Sequence, residues 1–175
     1  MRTTLAIKEE LLGEVKNLSG AKTKKEAVEK ALEEYIKRRK KMFLIDSSLW
    51  IEYFRPRGSQ KIKERVKDFL QKEEAVSCGI IVVEILRGAK NEKDFQSLQD
   101  ALLSLPQIPI PIDDAVIARA AQWGFLLDKK GRFVSTTDLI IASAAYKKAR
   151  LLHSDSDFET ISSVIDLEEE KIPQN

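Results

Sequence analysis

Four short apolar runs in this chain stop at, or run across, a carboxylate. "FLID" ends on Asp46, "IIVVEIL" is broken by Glu84, "STTDLIIA" carries Asp138 and "RLLHSD" ends on Asp155. Helical patterns fill the intervals between these runs. From Met42, "MFLID" reads as a strand, and "SSLWIEYFR" and "SQKIKERVKDFLQKE" read as helices. "AVSC" is a strand, followed by helices in "IIVVEILRGA" and "EKDFQSLQDALLSL". "PQIPIPI" is extended, and Pro109 and Pro111 confine it to an edge or a strand margin. "DDAVIARAAQWGFLLDKK" and "STTDLIIASAAYKKA" are helices, "RLLHSD" a strand and "SVIDL" a possible last strand. Strands that alternate with helices predict an α/β domain, a parallel sheet flanked by helices, over residues 42–167. The remaining 168–175, "EEEKIPQN", are expected to form a frayed tail.

In open α/β sheets, sites gather at the carboxyl ends of the strands. Asp46, Glu84, Asp138 and Asp155 are all expected there, with Asp157 two residues further on as an adjunct. Each aspartate also has a local reading. Asp46 can cap the next helix, Asp138 completes an S-x-x-D capping box with Ser135, and Asp155 and Asp157 can cap a turn. Glu84 resists such a reading, because a lone charge in an apolar run is costly. Convergence of the four on a divalent cation accounts for them together, since clustered carboxylates repel unless metal neutralises them. An all-oxygen donor set suits Mg²⁺ or Mn²⁺. His153 is the single histidine and is read as structural. With no Cys/His cluster, zinc is not indicated, and without a Gly-rich phosphate loop neither is NTPase chemistry.

Residues 1–41 have a different character. Of 30 Lys/Arg and 28 Asp/Glu in the chain, 12 and 7 fall in this segment, leaving 18 and 21 for the rest. A basic head on a mildly acidic body points to nucleic acid. "RTTLAI" alternates as a strand, with Leu5 and Ile7 on one face and Arg2, Thr4 and Ala6 on the other. A helix follows, with Leu11, Leu12, Val15 and Leu18 as its stripe and Gly20 as its stop. Thr23 and Glu26 form a capping box that starts a second helix, whose inner face is Ala27, Leu32, Tyr35 and Ile36. About 40 residues is near the floor for independent folding, and a lone strand leaves backbone groups unpaired. Both defects vanish if two copies pair their strands.

That arrangement resembles the ribbon-helix-helix family, and "MRTTLAIKEELL…LSGAKTKKEAVEKAL" resembles the DNA-binding part of VapB-type antitoxins. The resemblance implies a homodimer, or a tetramer if the bodies also pair, that inserts its strands into the major groove of an operator. Arg2, Thr4 and Ala6 would face the bases, with Ala6 limited to a thymine methyl. Lys22, Thr23 and Lys24 would hold a phosphate at the second helix's N-terminus. Over residues 42–163, "FLIDSSLWIEYFR", "SCGIIVVEILRGA", "TTDLIIASAA" and "LLHSDSDF" resemble the acidic blocks of PIN-domain ribonucleases of the VapC toxin type. This second resemblance implies Mg²⁺- or Mn²⁺-dependent cleavage of RNA by Asp46, Glu84, Asp138 and Asp155. Asp157 would be a further ligand, and Ser47 would orient a carboxylate or bind phosphate. Arg87 and Arg132 lie near the blocks and are candidates for steering RNA.

The stretch "RRKKMFLIDSS" is then a seam between an antitoxin-like head and a toxin-like body, with Met42 where a free-standing toxin would begin. No segment between Lys41 and the "FLID" strand is left to lie across the site. The nuclease is therefore expected to be incompletely silenced in cis, or silenced by dimer geometry with Arg38 or Arg39 near the acids. The competing class is a DNA-binding repressor whose nuclease-like body is only a scaffold. Action on DNA is a third reading, since acids alone do not choose the sugar. A single cysteine, Cys78, suits a reducing, cytoplasmic setting. No apolar run approaches the roughly 20 residues of a membrane span.

Overall fold

The computed structural model describes residues 6–39, 41–110 and 115–174. The chain divides into two compact units, Met1–Lys40 and Lys41–Asn175. In the first, α1 (Glu9–Ser19) ends on Gly20, whose φ of 61° is the left-handed conformation that closes a helix. α2 (Lys24–Arg39) begins with the reciprocal bonds of a capping box. Thr23 Oγ1 accepts from the Glu26 N–H at 3.1 Å, and Glu26 Oε2 accepts from the Lys22 N–H at 3.0 Å. A Lys24–Glu9 ion pair joins the two helices.

The inner faces expected for this unit are not covered within one chain. Ala21 and Ala27 are buried, but Leu11, Leu32, Tyr35 and Ile36 are exposed and Leu18 is 84% exposed. The contact between α1 and α2 covers small residues such as Ala27 and leaves the larger apolar ones exposed. The expected strand at Arg2 to Leu5 lies outside the described residues. Ala6 and Ile7 are in neither helix nor strand.

The second unit is built on a five-stranded, all-parallel sheet in the order β3-β2-β1-β4-β5. β1 (Phe43–Ile45) leads through α3 (Ser47–Phe54) and α4 (Gln60–Gln71) to β2 (Ala75–Cys78). α5 (Gly79–Leu86) and α6 (Glu92–Leu103) then lead to β3 (Gln107–Ile108) at one edge. Pro109 follows β3 directly, as an edge position allows; Pro111 lies outside the described residues. The chain returns through α7 (Ala115–Asp128) and α8 (Thr136–Ala145) to lay β4 (Arg150–His153) against the free side of β1. α9 (Ser156–Ser162) and β5 (Glu169–Lys171) complete the sheet. Strand order therefore reverses between β1 and β4, and a crevice opens beyond the strand ends at such a point.

The sheet is buried on both faces, as parallel sheets are. Leu44, Ile45, Leu151 and Leu152 have no exposed surface, and Leu49, Ile81, Leu127, Ile141 and Phe158 close over them. Two expectations fail at the C-terminus. The last strand is not "SVIDL" but Glu169–Lys171, and it lies in the stretch expected to fray, where Ile172 and Gln174 are also hydrogen-bonded. β5 pairs with β4 through Leu151↔Glu169, Leu152↔Glu170 and His153↔Lys171. Backbone pairing holds this strand, so its charged side chains gave no apolar signal to read.

The turn between α3 and α4 depends on a close approach. A Cβ on Gly58 would lie 1.9 Å from the Glu52 carbonyl oxygen. The buried Glu52 side chain accepts from the Ser59 N–H at 2.9 Å and from Arg55 Nη1 at 2.7 Å. Gly58→Ala is expected to cost roughly 1–3 kcal/mol, read as a lower urea midpoint, because backbone must move to admit one methyl group.

Candidate active site

Asp46 stands at the switch point. Its N–H bonds to the Leu152 carbonyl at 2.9 Å, which continues the β1–β4 ladder, and its side chain is buried. Oδ2 caps α3 by accepting from the Ser48 N–H at 2.9 Å, while Oδ1 is buried without a hydrogen-bond partner. Burial raises the Asp46 pKa, the Ser48 hydroxyl and the Ser47 and Ser48 N–H groups oppose that rise, and the Glu84 charge adds to it. The expected cap is present; it uses one oxygen and leaves the other without a protein partner.

Glu84 is the only charged residue of α5, whose Ile81, Val82 and Ile85 are buried. Burial raises its pKa, the Ser47 hydroxyl lowers it, Asp138 raises it and Arg87 lowers it. The Ser47 hydroxyl thus favours the charged form of Glu84, and the Ser47 N–H that of Asp46. A groove of about 600 Å³ opens beside Glu84, with Ile51, Phe54 and Leu98 as apolar wall and Arg55 and Lys90 as cations.

Asp138 lies in the first turn of α8. Ser135 caps the helix by accepting from the Asp138 N–H at 3.1 Å and donates its hydroxyl to Asp138 Oδ2 at 2.5 Å. Burial raises the Asp138 pKa, the Ser135 hydroxyl opposes it, and the charges of Asp46, Asp155 and Asp157 add to it. Asp155 is exposed and caps α9, its Oδ1 accepting from the Asp157 N–H at 3.0 Å. Asp157 has its pKa raised by burial and by Asp155. The short helix α9, absent from the sequence-based reading, had its signal in that cap.

These interactions join all five acids into one electrostatic group at the carboxyl ends of β1, β2 and β4. They do not close it: among the described residues, no three His, Cys, Asp or Glu side chains are gathered tightly enough to hold an ion. Two observations fit these residues to a hard cation. Asp46 presents a buried, unpartnered oxygen, and the group is composed wholly of carboxylates.

His153 is structural, as expected. It is buried, with Nε2 2.9 Å from Glu169 Oε2 and its ring against Phe158. Cys78 is buried too, and burial raises its thiol pKa. Arg132 is committed to Ser163 Oγ at 2.6 Å. In the head, Arg2 and Thr4 lie outside the described residues, as do the side chains of Arg38 and Arg39. Ala6, Lys22, Thr23 and Lys24 are exposed, with the Thr23 hydroxyl taken by its cap and Lys24 by Glu9.

Fold and site together define an α/β protein with a cluster of acids at the switch point of a parallel sheet. Residues 43–163 match the PIN domain, and residues 1–46 match a bacterial antitoxin of type II TA system, VapB. The chain belongs to the PIN-domain family, as a VapC-type member joined to a VapB-type antitoxin segment. It is 36% identical over 132 residues to "VapC ribonuclease Mb1587" of Mycobacterium bovis, covering 73% of this chain and 96% of that protein. "Ribonuclease VapC11" of Mycobacterium tuberculosis gives the same identity and coverage. The fold is shared with VapBC2 from Rickettsia felis, solved bound to a DNA fragment from its promoter. That likeness has a TM-score of 0.59 and 18% identity, and covers 75% of this chain and 98% of the other. Among the described residues, no helix is long and apolar enough to cross a membrane.

Proposed function

We propose that the chain is a Mg²⁺- or Mn²⁺-dependent endoribonuclease of the cytoplasm. In this reading its head pairs with a second copy, binds operator DNA and regulates its own transcription. The observation that carries the enzymatic part is the buried, unpartnered Oδ1 of Asp46 inside a group of mutually repelling acids. Family membership and the ribonuclease names of the 36%-identical relatives support RNA as the substrate.

Asp46, Glu84, Asp138 and Asp155 would hold the cation, with Asp157 at the margin. When bound, it supplies Lewis acidity toward the scissile phosphate and acidifies the attacking water. One of these carboxylates would take the proton released by that water. Ser135 would keep Asp138 oriented, and the Ser47 hydroxyl would favour the charged form of Glu84. Arg55 and Lys90 line the groove through which the RNA backbone would approach Glu84. Attack by water leaves a 5′-phosphate and a 3′-hydroxyl.

The test is cleavage of defined single-stranded RNAs with Mg²⁺, Mn²⁺ or EDTA, with end-group analysis of the products. Metal-dependent cuts bearing 5′-phosphates are expected. A shift of promoter DNA with no cleavage in any metal would leave the chain a repressor on a PIN scaffold.

For the head, the uncovered face of α1 and α2 supports pairing of two copies. Leu32→Lys is expected to convert a dimer to a monomer by light scattering and to abolish the DNA shift. A monomeric wild type would overturn the pairing.

A further inference from the structure

A chain of hydrogen bonds runs from the C-terminal segment to the Asp46 carboxylate. Gln174 Nε2 donates to Ser154 Oγ at 3.1 Å. The Ser154 N–H donates to Ser48 Oγ at 3.1 Å, across 106 residues of sequence. Ser48 in turn offers its N–H to Asp46 Oδ2 at 2.9 Å. One serine therefore touches both sides of the switch point: the acid that ends β1 and the backbone one residue before Asp155, just past β4. The hydroxyl accepts on one side while the backbone N–H of the same residue donates on the other.

β5 and the residues after it are also tied to β4 and α9. The Ile172 N–H donates to the His153 carbonyl at 2.7 Å, Glu169 meets His153 Nε2 at 2.9 Å, and Lys171 pairs with Glu159 of α9. Residues 169–174 thereby hold the backbone that presents Asp155 and Asp157. They lie beyond residue 163, where the match to the PIN domain ends.

We infer that Ser48 is a positioning residue, a strut that fixes the spacing of Asp46 and Asp155, and that Gln174 locks the strut from the C-terminal segment. The inference rests on the reading of this site as a cation-dependent nuclease. Its consequence is that residues outside the acidic group set how well it grips a hard cation.

The experiment measures Mn²⁺ affinity of the full chain, with Mn²⁺ alone, by the EPR signal of the free ion. Wild type is compared with Ser48→Ala, Ser48→Thr, Gln174→Ala, the Ser48→Ala/Gln174→Ala double variant and Asp46→Asn. Thermal melts confirm folding, and kcat and KM are read on RNA. Ser48→Ala is expected to weaken Mn²⁺ about tenfold and to lower kcat about as much, as loss of a partner that orients a metal-holding group does, with KM for RNA within twofold. Ser48→Thr, which keeps the hydroxyl, should recover most of both. Gln174→Ala should act in the same direction by about threefold, and its effect should shrink in the double variant, because the two residues act through one strut.

Folded Ser48→Ala that keeps Mn²⁺ affinity and kcat within twofold, while Asp46→Asn loses both, would overturn the strut and leave the nuclease reading standing. Wild type that binds no Mn²⁺ and cuts no RNA would overturn both.

Discussion

Asp46→Asn is expected to lower RNA cleavage by at least about a hundredfold while the protein stays folded. Asparagine keeps the side-chain oxygen that caps α3, so the Ser48 N–H retains an acceptor and the helix start survives. What the variant loses is the negative charge on a buried group whose second oxygen has no protein partner. Without a cation that charge is a burden, since burial and Glu84 both disfavour it. The variant should therefore melt higher than the wild type in EDTA and lower than it in Mn²⁺. Initial rates and paired melts read both effects. Cleavage retained within threefold would remove Asp46 from the chemistry.

Mn²⁺ itself should stabilise the wild type strongly, and more at pH 7.5 than at pH 5. Asp46, Glu84, Asp138 and Asp157 all have pKa values raised by burial, with neighbouring acids adding to the rise. A carboxylate whose folded-state pKa exceeds its unfolded value of about 4 takes up protons more readily in the fold. Its contribution to ion-free stability thus falls as pH rises through that raised value and recovers on acidification toward the unfolded one. A cation at a hundred times its Kd adds about 2.7 kcal/mol, or roughly 5–10 °C for a body of this size. At pH 5 protons compete for the same oxygens, and the shift should shrink. Equal Mn²⁺ shifts at the two pH values, or an equal shift in Asp46→Asn, would refute this account.

The body was legible in sequence because its signals were local and apolar. Strands β1, β2 and β4 are short buried runs, and Glu84 could be read as unusual because everything around it in α5 is apolar. The helix caps at Thr23 and Ser135 also came from spacing alone, and both side chains accept from the N–H three residues on. β5 escaped because Glu169, Glu170 and Lys171 pair through their backbone, and backbone pairing leaves no trace in residue type. α9 escaped because its cap, Asp155, was read as the end of a turn. Spacing also could not show that Ser48 accepts from the Ser154 N–H, 106 residues away, while its own N–H caps onto Asp46. The head's helices were legible, and Leu11, Leu18, Leu32 and Ile36, expected to be covered only when two copies pair, are exposed in a single chain.

The two margins of the sheet are unlike each other and have the same effect. Pro109 follows β3, so the backbone there lacks one donor that an added strand would need. On the other side, a strand docking on β5 would lay its side chains against Glu169, Glu170 and Lys171 and disturb the Lys171–Glu159 pair. Charged or proline-bearing margins of this kind discourage edge-to-edge stacking. Chains crowded together by their heads would therefore keep separate five-stranded sheets rather than fuse them into a ribbon.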